Sequence, residues 1–269
     1  MLATIPSTGR LDGAALGDLA WPAKHEVIGV PVSATDYAEA VELLTAAARQ
    51  HRPAIATALA VHGTVEAAHD PALLAQIASF DLVLPDGQPV RWALNLLFRR
   101  KLRDRVYGPE LMLRLCARAA AEGIGVYLYG STASTVGRLR ESLQCGSLAL
   151  RIVGCEPSLF RPLTTEEDRA LVERIAASGA GFVFIGLGCP LQERFAFAHR
   201  HSIRAAQICV GAAFDFHAGT KRQAPRWMQD CGLEWLFRLA QEPRRLARRY
   251  LVTNSAFLWR LSSQFLGRR

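Results

Sequence analysis

From Glu26 to Val210 the chain alternates short apolar runs with longer stretches whose apolar residues recur every three or four positions. The short runs predict strands at Glu26 to Val30 (ending at Pro31), Pro53 to Leu59, Asp81 to Leu84, Val126 to Tyr129, Leu150 to Val153, Phe182 to Ile185 and Gln207 to Val210. Phe182-Val183-Phe184-Ile185 is the clearest of them: four aromatic or β-branched residues in a row suit a parallel strand covered on both faces. The periodic stretches predict helices. One begins at Asp36, because Ala40, Leu43, Leu44 and Ala47 line a single face. Others run from Thr64 to Ser79 with an interruption at Pro71, from Gln88 to Phe98, from Pro109 to Glu122, and from a capping turn Gly130-Ser131-Thr132 to Leu143. A last one spans Thr164 to Ser178, with a Thr-x-x-Asp start at Thr165. Strands alternating with helices predict an α/β fold, a Rossmann-like doubly wound and mostly parallel sheet.

The expected organisation is a loose leader at 1–24, an α/β catalytic domain at 25–220 and a basic helical C-terminal appendage at 221–269. The leader carries Gly, Ser, Thr and Pro without periodicity, and it lacks the basic start and apolar core of a signal peptide. No uninterrupted apolar run approaches the roughly twenty residues of a membrane span.

Ligands of such sheets sit beyond the carboxyl ends of the strands. The residues just after the predicted strands are therefore the site candidates: Thr57, Asp86, Gly130, Ser131, Gly186, Gly188, Gln192, Gly211 and Asp215. The turn Gly186-Leu187-Gly188-Cys189 brings bare backbone close to whatever lies above its strand. Pro190 suits a first helical position, and the helix start favours an anion. As a dinucleotide fingerprint the turn fails, since Leu191 stands where a third glycine belongs and no acidic residue lies near Gln207. A phosphate-bearing ligand other than NAD is expected, which disfavours an oxidoreductase. Asp86 in Pro85-Asp86-Gly87 reads either as an ordinary turn carboxylate or as a general base.

A hydrophobic content of 50% with 21% charged residues fits a folded protein with a real core. The six cysteines include no C-x-x-C, so they read as reduced thiols of a cytosolic protein. Cys189 is the one placed where a helix start can lower a thiol pKa. Charge changes the picture most. The net charge is +8, and from Lys221 onward there are 11 Lys and Arg against 3 Asp and Glu, so the whole excess sits in the last segment. After Pro243, Arg244, Arg245, Arg248 and Arg249 fall on two neighbouring rows of a helix, with Leu246, Tyr250, Phe257 and Leu261 on another side. Such a helix suits an anionic membrane surface; a nucleic-acid partner is the competing reading and is not favoured.

Several separate motifs stand in order along Glu26 to Tyr250. They are Leu82-Val83-Leu84-Pro85-Asp86-Gly87, Asp104-Arg105-Val106-Tyr107-Gly108, Gly186-Leu187-Gly188-Cys189-Pro190-Leu191-Gln192-Glu193, Val210-Gly211-Ala212-Ala213-Phe214-Asp215, Gln223-Ala224-Pro225-Arg226-Trp227, and a tail from Gly232-Leu233-Glu234-Trp235 to Glu242-Pro243-Arg244-Arg245. Together they resemble the WecG/TagA/CpsF family, glycosyltransferase family 26. The resemblance implies inverting, metal-independent transfer of a sugar from a UDP-sugar donor to a polyprenyl-pyrophosphate-linked acceptor, with no cofactor. The implied location is the cytoplasmic face of a membrane, and a homo-oligomer is compatible with it. It implies Asp86 as the base, Thr57 and Arg105 lining the site, and Gln192 and Glu193 near the donor. Arg238, Arg245 and Arg248 would close over the diphosphate. One departure leaves the donor sugar open: the family's asparagine two residues after this threonine is Leu59 here, in wording that resembles an exopolysaccharide branch. Nearby His62 reads equally as a packed residue or as a replacement in the site.

Overall fold

The structure, a computed structural model, describes residues 19–267. The first elements are β1 (Lys24–Val27), β2 (Val30–Ser33), α1 (Tyr37–Arg49), β3 (Ala54–Leu59), α2 (Val61–His69), α3 (Pro71–Ala78) and β4 (Leu82–Pro85). Then come α4 (Gln88–Phe98), α5 (Gly108–Glu122), β5 (Gly125–Gly130), α6 (Ala133–Gly146), β6 (Ile152–Glu156) and α7 (Thr165–Ala177). The sheet is completed by β7 (Ala180–Gly186), α8 (Leu191–Ala198), β8 (Ala206–Cys209) and the short α9 (Ala213–His217). Three helices follow: α10 (Arg226–Asp230), α11 (Glu234–Gln241) and α12 (Pro243–Leu266).

Six strands form one sheet in the order β4-β3-β8-β7-β5-β6, and every pairing in it is parallel. Alternation along each strand sends Ile55, Val83, Tyr127, Val183 and Cys209 into one core layer, under α2, α3, α4, α7 and α8. Ala56, Leu82, Leu84, Leu128, Phe184 and Ile208 enter the other, under α1, α5, α6 and α9. The sheet is thus covered on both sides, as its unbroken apolar runs require. The chain leaves β3 and β7 toward the first layer and β8 and β5 toward the second. Adjacent strand ends therefore splay their loops apart and open a crevice at the carboxyl edge.

Several boundaries differ from the sequence reading. Glu26 to Val30 is not one strand but the turn of an antiparallel hairpin, β1 with β2, outside the main sheet. Ile28 and Gly29 both have positive φ, 48° and 86°, the backbone of a tight two-residue hairpin turn, and a β-branched residue at the first of these hides it in the sequence. Of the leader expected at 1–24, residues 1–18 lie outside the described residues, and Lys24 already opens β1. Pro190 is the N-cap of α8 rather than its first helical residue. The cap of α7 is Thr164, whose side chain accepts from Glu167 N while Glu167 accepts from Thr164 N, a full capping box one residue earlier than the expected start. Strand β6 begins two residues later than expected, at Ile152, and ends three later, at Glu156.

The C-terminal helices do not trail away from the body. Phe257 of α12 is 2% exposed within the first core layer, and Gln264 bridges to the hairpin, accepting from Ile28 N at 2.8 Å and donating to Glu26 O at 2.6 Å. Arg260 donates to Ala68 O at the end of α2. Among the described residues no helix is long and apolar enough to cross a membrane.

Candidate active site

A cavity of about 1270 Å³ opens above the carboxyl ends of the strands and is roofed by α11 and α12. Its floor begins with β4, whose last residue Pro85 hands over to Asp86. The segment after α4 loops back to hold that carboxylate. Val106 N donates to Pro85 O at 3.0 Å, Arg105 Nη1 to Asp86 O at 3.3 Å, and Gly108 N to Asp86 Oδ1 at 2.6 Å. Gly108 sits against the ends of β3 and β8, where a Cβ would stand 3.0 Å from Ala58 Cβ and 3.6 Å from Val210 O. A side chain there would push the N–H away from Asp86. Burial drives the Asp86 carboxyl up to about 6, opposed chiefly by the Arg105 guanidinium and by the Gly108 hydrogen bond. A carboxylate poised there is ionised at neutral pH yet basic enough to take a hydroxyl proton.

The second part of the floor is the turn from β7 to α8. Gly130 and Gly186 lie back to back at the ends of β5 and β7. A Cβ on Gly130 would fall 2.6–2.9 Å from the Gly186 backbone, and φ of Gly130 is +127°. Ser131 N donates to Gly186 O, clasping the two strand ends, and Ser131 lines the cavity. Behind this turn Gln192 accepts from Gly188 N at 3.2 Å and donates to Glu193 Oε1 at 3.0 Å. Glu193 is fully buried and also accepts from the Thr57 hydroxyl at 2.8 Å. Burial pushes its carboxyl up, against the hydrogen bonds from Gln192 and Thr57. Cys189 is no activated thiol, because burial and the adjacent Glu193 push it far above the ordinary range.

The roof brings the arginines. Arg238 and Arg245 line the cavity, and so does Arg249. Arg248 is exposed. The phase of α12 explains the exchange: Leu246, Tyr250 and Phe257 are its buried face, and Arg245 and Arg249, four residues apart, flank that face on the cavity side. Arg245 also pairs with Glu242. Asp215 lines the cavity but holds Lys221 at 3.0 Å, and Lys221 reaches Glu242 at 3.5 Å. Of the sequence candidates, Asp86, Arg105, Ser131, Gly186, Gly188, Gln192, Glu193, Asp215, Arg238 and Arg245 therefore share one cavity. Thr57 and Gly130 stand beneath it as supports.

At Leu59 the side chain is 1% exposed and packs under Gly63. His62, the second residue of α2, lines the cavity too, with its imidazole pushed down by burial and by Arg249 and so neutral.

A family model described as the glycosyl transferase WecG/TagA/CpsF family matches residues 25–269. The chain belongs to that family. As a WecG/TagA/CpsF member it is a glycosyltransferase of cell-surface polysaccharide synthesis, with a sugar donor and an acceptor. Among the residues lining the cavity, sequence reasoning did not single out Tyr107, Glu234 and Arg249 for the site, nor Gln229, which bonds Arg105 behind them. Glu234 enters the sequence reading only as part of the tail motif, and it opens α11.

Proposed function

We propose that the protein moves a hexose or N-acetylhexosamine, with inversion, from a UDP-sugar to a polyprenyl-pyrophosphate-linked saccharide, on the cytoplasmic face of a membrane. The carrying observation is that the Asp86 carboxylate, held by the Gly108 N–H, faces the same cavity as the glycine turn at 186–188 and three arginines of the C-terminal helices. In this reading Asp86 accepts the proton of the acceptor hydroxyl. The freed oxygen attacks the anomeric carbon from the face opposite the diphosphate, the new C–O bond forms as the old one breaks, and UDP departs. Negative charge grows on the leaving diphosphate, and Arg238, Arg245 and Arg249 are the cations placed to meet it without a metal.

An exposed stripe of α12 that also borders the cavity supports the membrane part. Arg244 and Arg248 share an exposed stripe of α12 with Leu251 and Leu258, and Trp259 beside them is 70% exposed. Basic residues next to exposed apolar ones suit an anionic bilayer. Incubating the full chain with a panel of UDP-sugars and a short lipid-pyrophosphate-linked sugar tests the proposal. A mass increase of one sugar on the acceptor is expected with at least one donor; no transfer from any UDP-sugar would overturn it.

A further inference from the structure

Arg105 is the cation that weighs most on Asp86, yet its ion pair is made elsewhere. Its Nη1 touches only the Asp86 backbone oxygen, while Nη2 donates to Glu234 Oε2 at 2.8 Å and to Gln229 Oε1 at 3.1 Å. The guanidinium lies 4.0 Å over the ring of Tyr107, whose hydroxyl donates to the other oxygen of Glu234 at 2.9 Å. Glu234 thus receives one hydrogen bond on each oxygen. Side-chain exposure of the pair is 7% for Arg105 and 14% for Glu234, so the interaction is poorly screened by water. Arg105 comes from the loop that cradles Asp86, whereas Gln229 and Glu234 come from α10 and α11.

We propose that Glu234 is a positioning residue: carried in by α11, it holds the Arg105 guanidinium away from the Asp86 carboxylate, so docking of the C-terminal helices fixes how much of that cation the base feels. This rests on the reading of Asp86 as the base. Without Glu234 the nearest acid for Arg105 is Asp86 itself. A direct arginine pair would keep that carboxylate ionised at lower pH and make it a poorer proton acceptor. The other groups facing Asp86 are Glu234 itself, whose own charge also raises that carboxyl, Tyr37 from α1, Tyr107 and the Gly108 N–H from the cradle, and Arg238 from α11. Both tyrosines are pushed up by burial and stay neutral, and Arg238 is common to every variant below.

The test needs no substrate, so it stands apart from the test of transfer. In the full-length protein the Asp86 carboxyl is titrated by carbon NMR, its signal assigned by its loss in Asp86→Asn. In Glu234→Gln the midpoint is expected to fall by about one pH unit. In Arg105→Gln/Glu234→Gln, which leaves no unpaired buried charge, it is expected to rise above that of the unaltered protein. The double variant keeps the test usable where the single one does not fold. Glu234→Asp should restore most of the original midpoint. A folded Glu234→Gln whose Asp86 midpoint does not move, or a double variant whose midpoint falls, would overturn the proposal.

Discussion

Thr57 donates its hydroxyl to Glu193 at 2.8 Å, although the two are separated by 136 positions in the chain. The bond ties β3 to the first turn of α8 under the cavity floor. Because the Glu193 carboxyl is pushed up, its stabilising contribution is complete below the ordinary carboxylate range and is lost as pH rises through the raised value. Glu193→Gln should therefore be at least as stable as the unaltered protein at pH 8, with the difference vanishing in acid. Glu193→Ala takes the acceptor away from the Thr57 hydroxyl and the Gln192 amide N–H and should cost about 1–3 kcal/mol. Thermal melts across pH check both.

Asp86→Asn should lose transfer by about 10²–10⁴-fold while retaining UDP binding. The same change should raise stability. The folded carboxyl sits at about 6 against an ordinary 3.8, so stability is lost as pH rises from about 3.8 to about 6 and the full penalty is present above that. Removing the charge is expected to add up to about 3 kcal/mol at pH 8, less for the side open to the cavity. Calorimetry and an activity assay on one sample would show the opposite signs, and unaltered turnover would remove Asp86 from its role.

The pH profile follows from the same carboxyl. With Asp86 as the proposed base, kcat/KM should fall tenfold per unit below about pH 6, with a single-proton slope. A limb near pH 4 would mean that the base feels far more positive charge than its surroundings here supply.

Gly130→Ala places a methyl group against the Gly186 backbone at a φ suited to glycine. A loss of more than about 2 kcal/mol is expected in chemical denaturation, because backbone cannot move aside as a side chain can. Gly137, with nothing within 4 Å, serves as the control.

Leu258→Ser/Trp259→Ser should weaken retention by vesicles containing anionic lipid more than roughly tenfold, since each buried methylene contributes about 0.8 kcal/mol. Sedimentation measures this. Retention unchanged by the double substitution would place the contact elsewhere on the chain.

Much of the fold was legible because it rests on local chemistry. Asp36 caps α1 by accepting from Glu39 N, Pro71 opens α3, and Pro109 sits at the start of α5, each as its residue type dictates. The Phe182 to Ile185 run announced a doubly covered strand. What stayed hidden depends on distant partners. Nothing in Lys24 to Ser33 marks a hairpin when Ile28 occupies the left-handed turn position. The phase of α12 that turns Arg249 inward and leaves Arg248 outside is set by Phe257 seating in the core. Glu234 gains its place only when α11 meets Tyr107 and Arg105, residues that spacing alone gives no reason to join to it.

The cavity is larger than the roughly 300–1,000 Å³ that commonly encloses one small ligand. It has room for two guests together, and under the proposed function Asp86 serves both without a sugar ever being parked on the protein. Velocity plots at several fixed concentrations of the second reactant should then converge at a point rather than run parallel, and product inhibition would report which guest enters first.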